Sequence, residues 1–502
     1  MRGSSLLFPA SLFLSLLVAG QQPKEFYVAP NGKAAGNGSL AAPFNSPDQA
    51  IAALGGATDA TIYFRAGTYP LSKSLIVNTH VTLAAYNGEK VIISGGQKLQ
   101  ASDLVPIKDQ AVIERLPAAA RSHVYQVDLR AKGITDFGKG LPHGYKKNHP
   151  ADLELFDNGK PLTMARWPKD GLAPIGKVSD PGSNPRKGDK DNRGATFTVD
   201  ADRVANWKSV DNAWVGGFFS YGYSDDYMKV DKVDAANKTI TLKDPAEYTV
   251  FSSSDESASN LKNAQKQRGF YIYNLPEELD SPGEYYLDKT AGKLYVWPPE
   301  APGTGDLVVS VLEDPLLIIK QAKGVTVKDI AFEYSRGMGL QLDNADNATI
   351  TGCVFANLGT VGLSSNSQTT HLTVSSCKIF NTGTGGMVIN GGDRRSQTPA
   401  GNTVDNCEIY NYSRIDKTYS PGIFINGVGN HITHCYFHDA PDMAIVFYGN
   451  DQDISYNHFQ RVVQDVTDAG AVYTGRDLSS TGNVVNYNFF DDITGKAGNS
   501  VS

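Results

Sequence analysis

Beyond its first twenty residues the sequence has no long apolar run, no excess of positive charge and only four cysteines. A membrane span needs roughly 18 to 20 consecutive apolar residues, so a bilayer-spanning helix is excluded from the mature chain. Lys and Arg number 46 against 53 Asp and Glu, a net charge of -7, and this mildly acidic balance argues against a nucleic-acid partner. What is abundant is glycine, tyrosine and phenylalanine, at 50, 24 and 21 residues. That composition suits short strands, tight turns and a surface on which sugars stack. A length of 502 residues suggests more than one structural unit, although an elongated all-β fold can hold this much chain in one body.

The opening MRGSSLLFPASLFLSLLVAG carries Arg2, an apolar run from Leu6 to Ala19 broken by Pro9 and Ser11, and small residues before Gln21. It reads as a secretory signal to be excluded from fold reasoning, which predicts a secreted or periplasmic, soluble protein.

In the C-terminal third one phrase recurs: an aliphatic residue, two positions, a small or amide residue, one position, then an apolar residue. It occurs as Val327–Ile330–Phe332, Ile350–Cys353–Phe355, Val374–Cys377–Ile379, Val404–Cys407–Ile409, Ile432–Cys435–Phe437, Ile454–Asn457–Phe459 and Val485–Asn488–Phe490, at steps of 23, 24, 30, 28, 22 and 31 residues. Periods of this size with strand-like alternation indicate a solenoid whose coils stack on one another. A second strand recurs in each coil: GLQLD from Gly339, GMVIN from Gly386, GIFIN from Gly422, AIVFY from Ala444 and GAVYT from Gly470. Strands that recur once per coil pair in parallel with their own copies, so the predicted fold is an all-β right-handed parallel β-helix.

All four cysteines, Cys353, Cys377, Cys407 and Cys435, occupy the same phrase position in successive coils. An even count in an exported chain raises the prospect of disulfides, and coils about 4.8 Å apart would permit them. The repeat predicts instead an interior column of thiols acting as small apolar filler, continued by Asn457 and Asn488 as an amide ladder.

Residues 24–101 read as an N-terminal cap with the first coils: a strand in FYVAPNG, a helix through Pro47–Leu54, then TIYFRAGTY, LIVN, VTLAAY and VIISGG. Residues 102–303 break the period and read as an inserted β-rich domain. Its hairpin signals are MKVDKV with KTITL and EYYLD with KLYVW. The patch Ser252–Ser259 reads as a loop, and 304–502 as further coils that stop without a terminal cap.

Two adjacent coils align without a gap, Asp442–Asp451 over Asp468–Asp477, with Asp at both ends and Gly at the eighth position. In-register pairing would place Asp442 beside Asp468 and Asp451 beside Asp477. Carboxylates about 5 Å apart repel when both ionise, so one keeps its proton, the arrangement that glycoside hydrolysis with retention requires. The plainer reading of each is a turn cap or a calcium ligand, which leaves calcium open as a cofactor while no other is called for. Arg476 could bind sugar hydroxyls or a carboxylate, or pair with Asp477 or Asp451, and Tyr473 falls on the strand at a position that would face the core. Tyr448, His438 and Asp439 complete the candidate sugar-binding set. The string His431-Ile-Thr-His434-Cys435-Tyr-Phe-His438-Asp439 resembles a metal box, but Cys435 belongs to the interior column and cannot converge with those histidines, so no metal site is assigned.

HCYFHDAPDMAIVFYGND followed by DAGAVYTGRD, with ELFDNGKPLTMARWP and LPEELDSPGEYYLDKTAGKLYVWPP in the insert, resembles glycoside hydrolase family 141 and its β-helix relatives over most of the chain after the signal. The resemblance implies a carbohydrate-active enzyme of fucosidase or xylanase type, with Asp468 as one of two catalytic carboxylates. It implies the second about one coil later, past Ser502, and histidine rather than aspartate at 442. Two other functions are compatible with the residues. One is a polysaccharide lyase using Arg414, Lys417 or Arg476 as base, and the other is a non-catalytic carbohydrate-binding solenoid. In all three the partner is a polysaccharide or oligosaccharide.

Overall fold

The computed structural model describes residues 24–493 apart from 58, 148 and 257–267. The signal segment, the last three residues of the Ser252–Ser259 patch and the last nine residues of the chain lie outside the described residues, and so does the expectation of a missing cap.

The chain winds into a parallel β-helix with three long sheets. The ten-stranded sheet starts at Glu25–Val28, Ala60–Phe64 and Val81–Ala85, continues at Thr326–Lys328 and runs to Val484–Asn486. A nine-stranded sheet runs from Gly67–Pro70 to Phe489–Asp491, and an eight-stranded parallel sheet from Leu75–Val77 to Val472–Tyr473. The repeating phrase supplies the first two sheets. Its aliphatic member forms one in-register column, Val327, Ile350, Val374, Val404, Ile432 and Ile454. Its last member forms another, Phe332, Phe355, Ile379, Ile409, Phe437 and Phe459. All of these side chains are buried in a single core.

The two positions after the aliphatic residue make the corner between the sheets. The second of them is left-handed in every coil, at Asp329, Gly352, Ser376, Asn406, His434, Tyr456 and Tyr487, with φ between 52° and 64°. One such residue turns the chain sharply enough to bring the next side chain inside, at a cost of about 1–2 kcal/mol for a residue other than glycine. The side chain brought inside is Ile330 in the first of these coils and a cysteine or asparagine in the others. All four cysteines are free and buried. Cys435 N–H donates to Asn457 Oδ1 at 2.9 Å, and Asn457 Nδ2 donates to Asn488 Oδ1 at 3.1 Å, so the thiol column passes into an amide ladder. Alkylation of the native protein is expected to leave all four thiols unmodified and unfolding to release four. Two or fewer reactive thiols after non-reducing denaturation would mean that bridges form.

The solenoid departs after Ser94 and resumes with the strand Leu317–Lys320, which pairs with Leu75–Val77, so the interruption is somewhat wider than 102–303. At its neck Gly96–Lys98 pairs antiparallel with Leu307–Ser310. Within it, Asp226–Asp234 pairs with Thr239–Leu242 and Glu284–Asp288 with Lys293–Trp297, the two hairpins legible in the sequence. The first belongs to an eight-stranded antiparallel sheet and the second to a five-stranded one.

Candidate active site

The insert packs against the turns that lead from the nine-stranded sheet into the eight-stranded one. Three contacts fix it to the turn after Glu408–Tyr410. Arg414 forms an ion pair with Glu154 at 2.8 Å, His143 Nδ1 meets Asp416 Oδ1 at 2.5 Å, and Lys417 N–H donates to Asp225 Oδ2 at 2.6 Å while Thr418 Oγ1 donates to Oδ1. One coil later, Thr467 N–H donates to Gly222 O at 3.0 Å. Between these contacts and the outer face of the eight-stranded sheet lies an aromatic groove.

The groove is built by sheet register. Val388, Phe424, Val446 and Tyr473 form one column on the outer face. Tyr473 therefore points outward, and the expectation that it faces the core is corrected: strand pairing sets Ile445 against Val472, so Val472 takes the inward place. Tyr419 meets Tyr473 edge-on at 6.3 Å, and Tyr145 from the insert meets Tyr419 at 5.1 Å. Lys146 Nζ lies 4.3 Å over the Tyr419 ring, its pKa lowered by burial and then by the nearby Arg186 and Arg476 cations. Tyr448 packs on Phe424 at 5.9 Å. Asp468 is exposed in the loop after the 467–222 bond, in the left-handed region with φ 53°, and its carboxylate accepts no hydrogen bond among the described residues. Arg476 is likewise exposed and left-handed.

The other candidates separate. The gapless alignment fails by one residue: Ala444 N–H and Ile445 N–H both donate to Ala471 O, at 2.9 and 3.0 Å, and that shared acceptor absorbs the step. Asp442 is consequently not set opposite Asp468. It is 1% exposed, with Oδ2 taking the Ser420 N–H at 2.6 Å and Oδ1 without a hydrogen-bond partner among the described residues. Asp451 stands at the corner before the ten-stranded sheet, over Gly482, where a Cβ would lie 1.9 Å from its Oδ1. Asp477 is bound to Arg394 at 2.9 Å and to Ser479, so the expected Asp451–Asp477 pair does not form. His438 lies on the nine-stranded sheet, stacked on Tyr410 at 4.7 Å, and Asp439 accepts from Arg461 Nε and Nη2 at 2.6 and 2.8 Å, away from the groove. His431 and His434 turn to Asp453 and Asp405. Among the described residues no three His, Cys, Asp or Glu side chains converge as metal ligands, and no helix is long and apolar enough to cross a membrane.

The sequence reading missed the residues that hold the groove in shape. Tyr419 sits in the left-handed region with φ 53° because both neighbours are tied down, Thr418 by Asp225 and Ser420 by Asp442. Such over-determination is how a strained conformation persists. Asp225 comes from FFSYGYSDDY in the insert, whose density of aromatic and acidic residues was the one available signal. Burial, followed by the Asp416 carboxylate, pushes Asp225 up to about 6, and burial pushes Asp442 up to about 7. For His143, burial opposes protonation but the Asp416 carboxylate outweighs it and raises the pKa.

These shifts share a sign. Each group binds its proton more tightly folded than unfolded, so the stability it contributes is present at low pH and is lost as pH rises through the folded value. For Asp442 the window runs from the ordinary 3.8 to about 7. Asp442→Asn keeps the carbonyl oxygen for Ser420 N–H and removes the titration. Its melting temperature is expected to fall less than the wild type's between pH 5 and pH 8, as scanning calorimetry would show. An equal fall would mean that Asp442 is ionised throughout.

A second concavity, of about 260 Å3, opens on the other side of the 414–420 turn, between the solenoid and the antiparallel sheet of the insert. Tyr227, Tyr271, Tyr273 and Trp214 supply its aromatic wall, and Arg414, Ile415 and Asp416 its solenoid side. Its charges are matched in pairs: Lys139 with Glu313, Lys289 with Asp152, Arg414 with Glu154 and His143 with Asp416. Arg166 and His149 are the exceptions, with no ion pair among the described residues, and Asp170 and Glu284 act on Arg166 from longer range.

A family model described as "Right handed beta helix region" matches residues 316–398 and 366–501. Among curated proteins no sequence match was found. A solved structure titled "Glycoside hydrolase" is 16% identical, with a TM-score of 0.65, covering 93% of this chain and 88% of its own. A complex of XylC with xylose is 12% identical, covering 94% and 67%, with a TM-score of 0.49. Register, sheet order, the family model and the first of these structures agree on one fold: the chain is a right-handed parallel β-helix interrupted by a β-rich domain.

Proposed function

We propose that the protein is a carbohydrate-active enzyme, a glycoside hydrolase that cleaves a complex polysaccharide in the groove between insert and eight-stranded sheet. The observation that carries this reading is an exposed, unpaired carboxylate, Asp468, beside a run of tyrosines at a groove wall. Aromatic faces stack on sugar rings and the carboxylate stands where a glycosidic bond would lie. Asp468 is the carboxylate that meets substrate. Asp442, buried and bonded to the Ser420 amide, acts instead as a positioning residue for Tyr419. The second acid that hydrolysis requires is sought first at Asp465, three residues before Asp468 and held by Lys417 Nζ at 2.5 Å. The family 141 resemblance narrows the substrate to fucosidase- or xylanase-type linkages, and the N-terminal segment fits action outside the cytoplasm.

Two of the three bases available to a lyase are already engaged, Arg414 by Glu154 and Lys417 by Asp465, which favours hydrolysis. Incubation with a panel of plant and microbial polysaccharides is expected to release reducing ends without an unsaturated, ultraviolet-absorbing product. An absorbing product would make the protein a lyase, and saccharide binding without turnover would make it a binding solenoid.

A further inference from the structure

Arg166 is fixed in the insert by two backbone carbonyls, Nε to Pro168 O at 2.8 Å and Nη2 to Gly171 O at 2.6 Å, and its guanidinium lies 3.7 Å over the Tyr271 ring. It lines the 260 Å3 cavity. Tyr227 and Tyr271 flank Gly216 across the sheet. A Cβ there would strike Tyr227 at 2.6 Å and Tyr271 at 2.9 Å, so glycine is what lets the two rings lean together over the sheet. His143 stacks on Tyr227 at 4.3 Å, tying this aromatic wall to Asp416 of the solenoid.

A half-buried guanidinium that forms no ion pair among the described residues, with Asp170 and Glu284 acting on it only from longer range, keeps an edge free to take a negative group from a ligand. Planar guanidinium suits a carboxylate, which it grips through two parallel hydrogen bonds. The phenolic and aromatic surfaces around it suit a ring that carries hydroxyls. The volume falls below the roughly 300 to 1,000 Å3 of sites that take drug-sized ligands, which sets the occupant at one ring. We infer that this cavity is a second carbohydrate site, which binds a single uronic acid unit through its carboxylate to Arg166. The site lies across the 414–420 turn from the groove and does not depend on cleavage there.

Titration calorimetry of the full chain with D-glucuronate and D-galacturonate, beside their methyl esters, tests the inference. Monosaccharides have no glycosidic bond to cleave, so the outcome is separate from that of the groove. The free acid is expected to bind about ten- to a hundredfold more tightly than its ester, the effect of one charge-assisted contact, and Arg166→Gln to erase the difference. Equal binding of acid and ester by the wild type, or an acid preference that survives Arg166→Gln, would overturn it. The wild-type comparison stands even if that variant does not fold. Inorganic phosphate binding as tightly as either uronate would overturn the sugar assignment. A uronate trimer, measured on Asp468→Asn, separates the two sources: binding equal to the monomer identifies a chain end, and exclusion of the trimer a free monosaccharide, each supporting the site.

Discussion

Asp468→Asn is expected to reduce hydrolysis on the order of a thousandfold, the scale associated with removing a catalytic acid or base, while leaving saccharide affinity and melting temperature nearly unchanged. Asp468 is exposed and its carboxylate has no hydrogen bond to lose, so the change should cost no more than about 0.5 kcal/mol of stability. Asparagine also accepts the left-handed backbone at this position. The comparison with Asp442→Asn separates the two aspartates. A positioning residue that keeps its bond to Ser420 should leave turnover largely intact, and any loss should appear more in KM than in kcat. If Asp468→Asn retains full activity, the reacting carboxylate lies elsewhere.

The largest structural effect is expected at Phe355. Its side chain is fully buried and stacked on Phe332 at 5.3 Å. Two glycines make room for it: a Cβ at Gly339 would lie 2.6 Å from Phe355 Cδ1, and one at Gly362 would lie 3.0 Å from its Cβ. Phe355→Ala removes the ring from a site framed by backbone, which cannot collapse into the space. A loss of about 3–5 kcal/mol follows. Because each coil rests on its neighbours, the defect should also loosen the coils on either side, visible as faster amide exchange in strands 326–328 and 373–375. Urea unfolding that shows less than about 1 kcal/mol would indicate that the columns are not tightly packed.

The solenoid was legible because its interior imposes one demand per coil on a few positions. The phrase that ends in Phe332, Phe355 and Ile379 is the linear trace of three stacked side chains, and the cysteines mark a neighbouring interior column in four successive coils. The site was less legible, for two reasons. The turn between the nine- and eight-stranded sheets varies in length, from Tyr410 to Ile423 in one coil and His438 to Ile445 in the next. A gapless match of Asp442 to Asp468 therefore counted residues that the turn before the strand had already displaced by one. The second reason is that the groove and the cavity are both closed by the insert. Antiparallel strands of the insert bring Tyr145, Asp225 and Arg166 to the solenoid from 190 to 330 residues away in sequence, and no periodicity records such contacts. The αL corners at His434, Tyr456 and Tyr487 show a further gap. A bulky residue at a sharp turn is unexpected from propensity, yet here the rings stack on each other outside the helix at 5.4 and 5.0 Å.

A crystal structure of Asp468→Asn soaked with an oligosaccharide cleaved by the wild type is the direct measurement. Sugar rings lying against Tyr419, Tyr448 and Tyr473, with a glycosidic oxygen within hydrogen-bonding distance of residue 468, are expected. Sugar bound only on the nine-stranded face, around Tyr410 and His438, with the groove empty, would contradict the assignment of the groove as the active site.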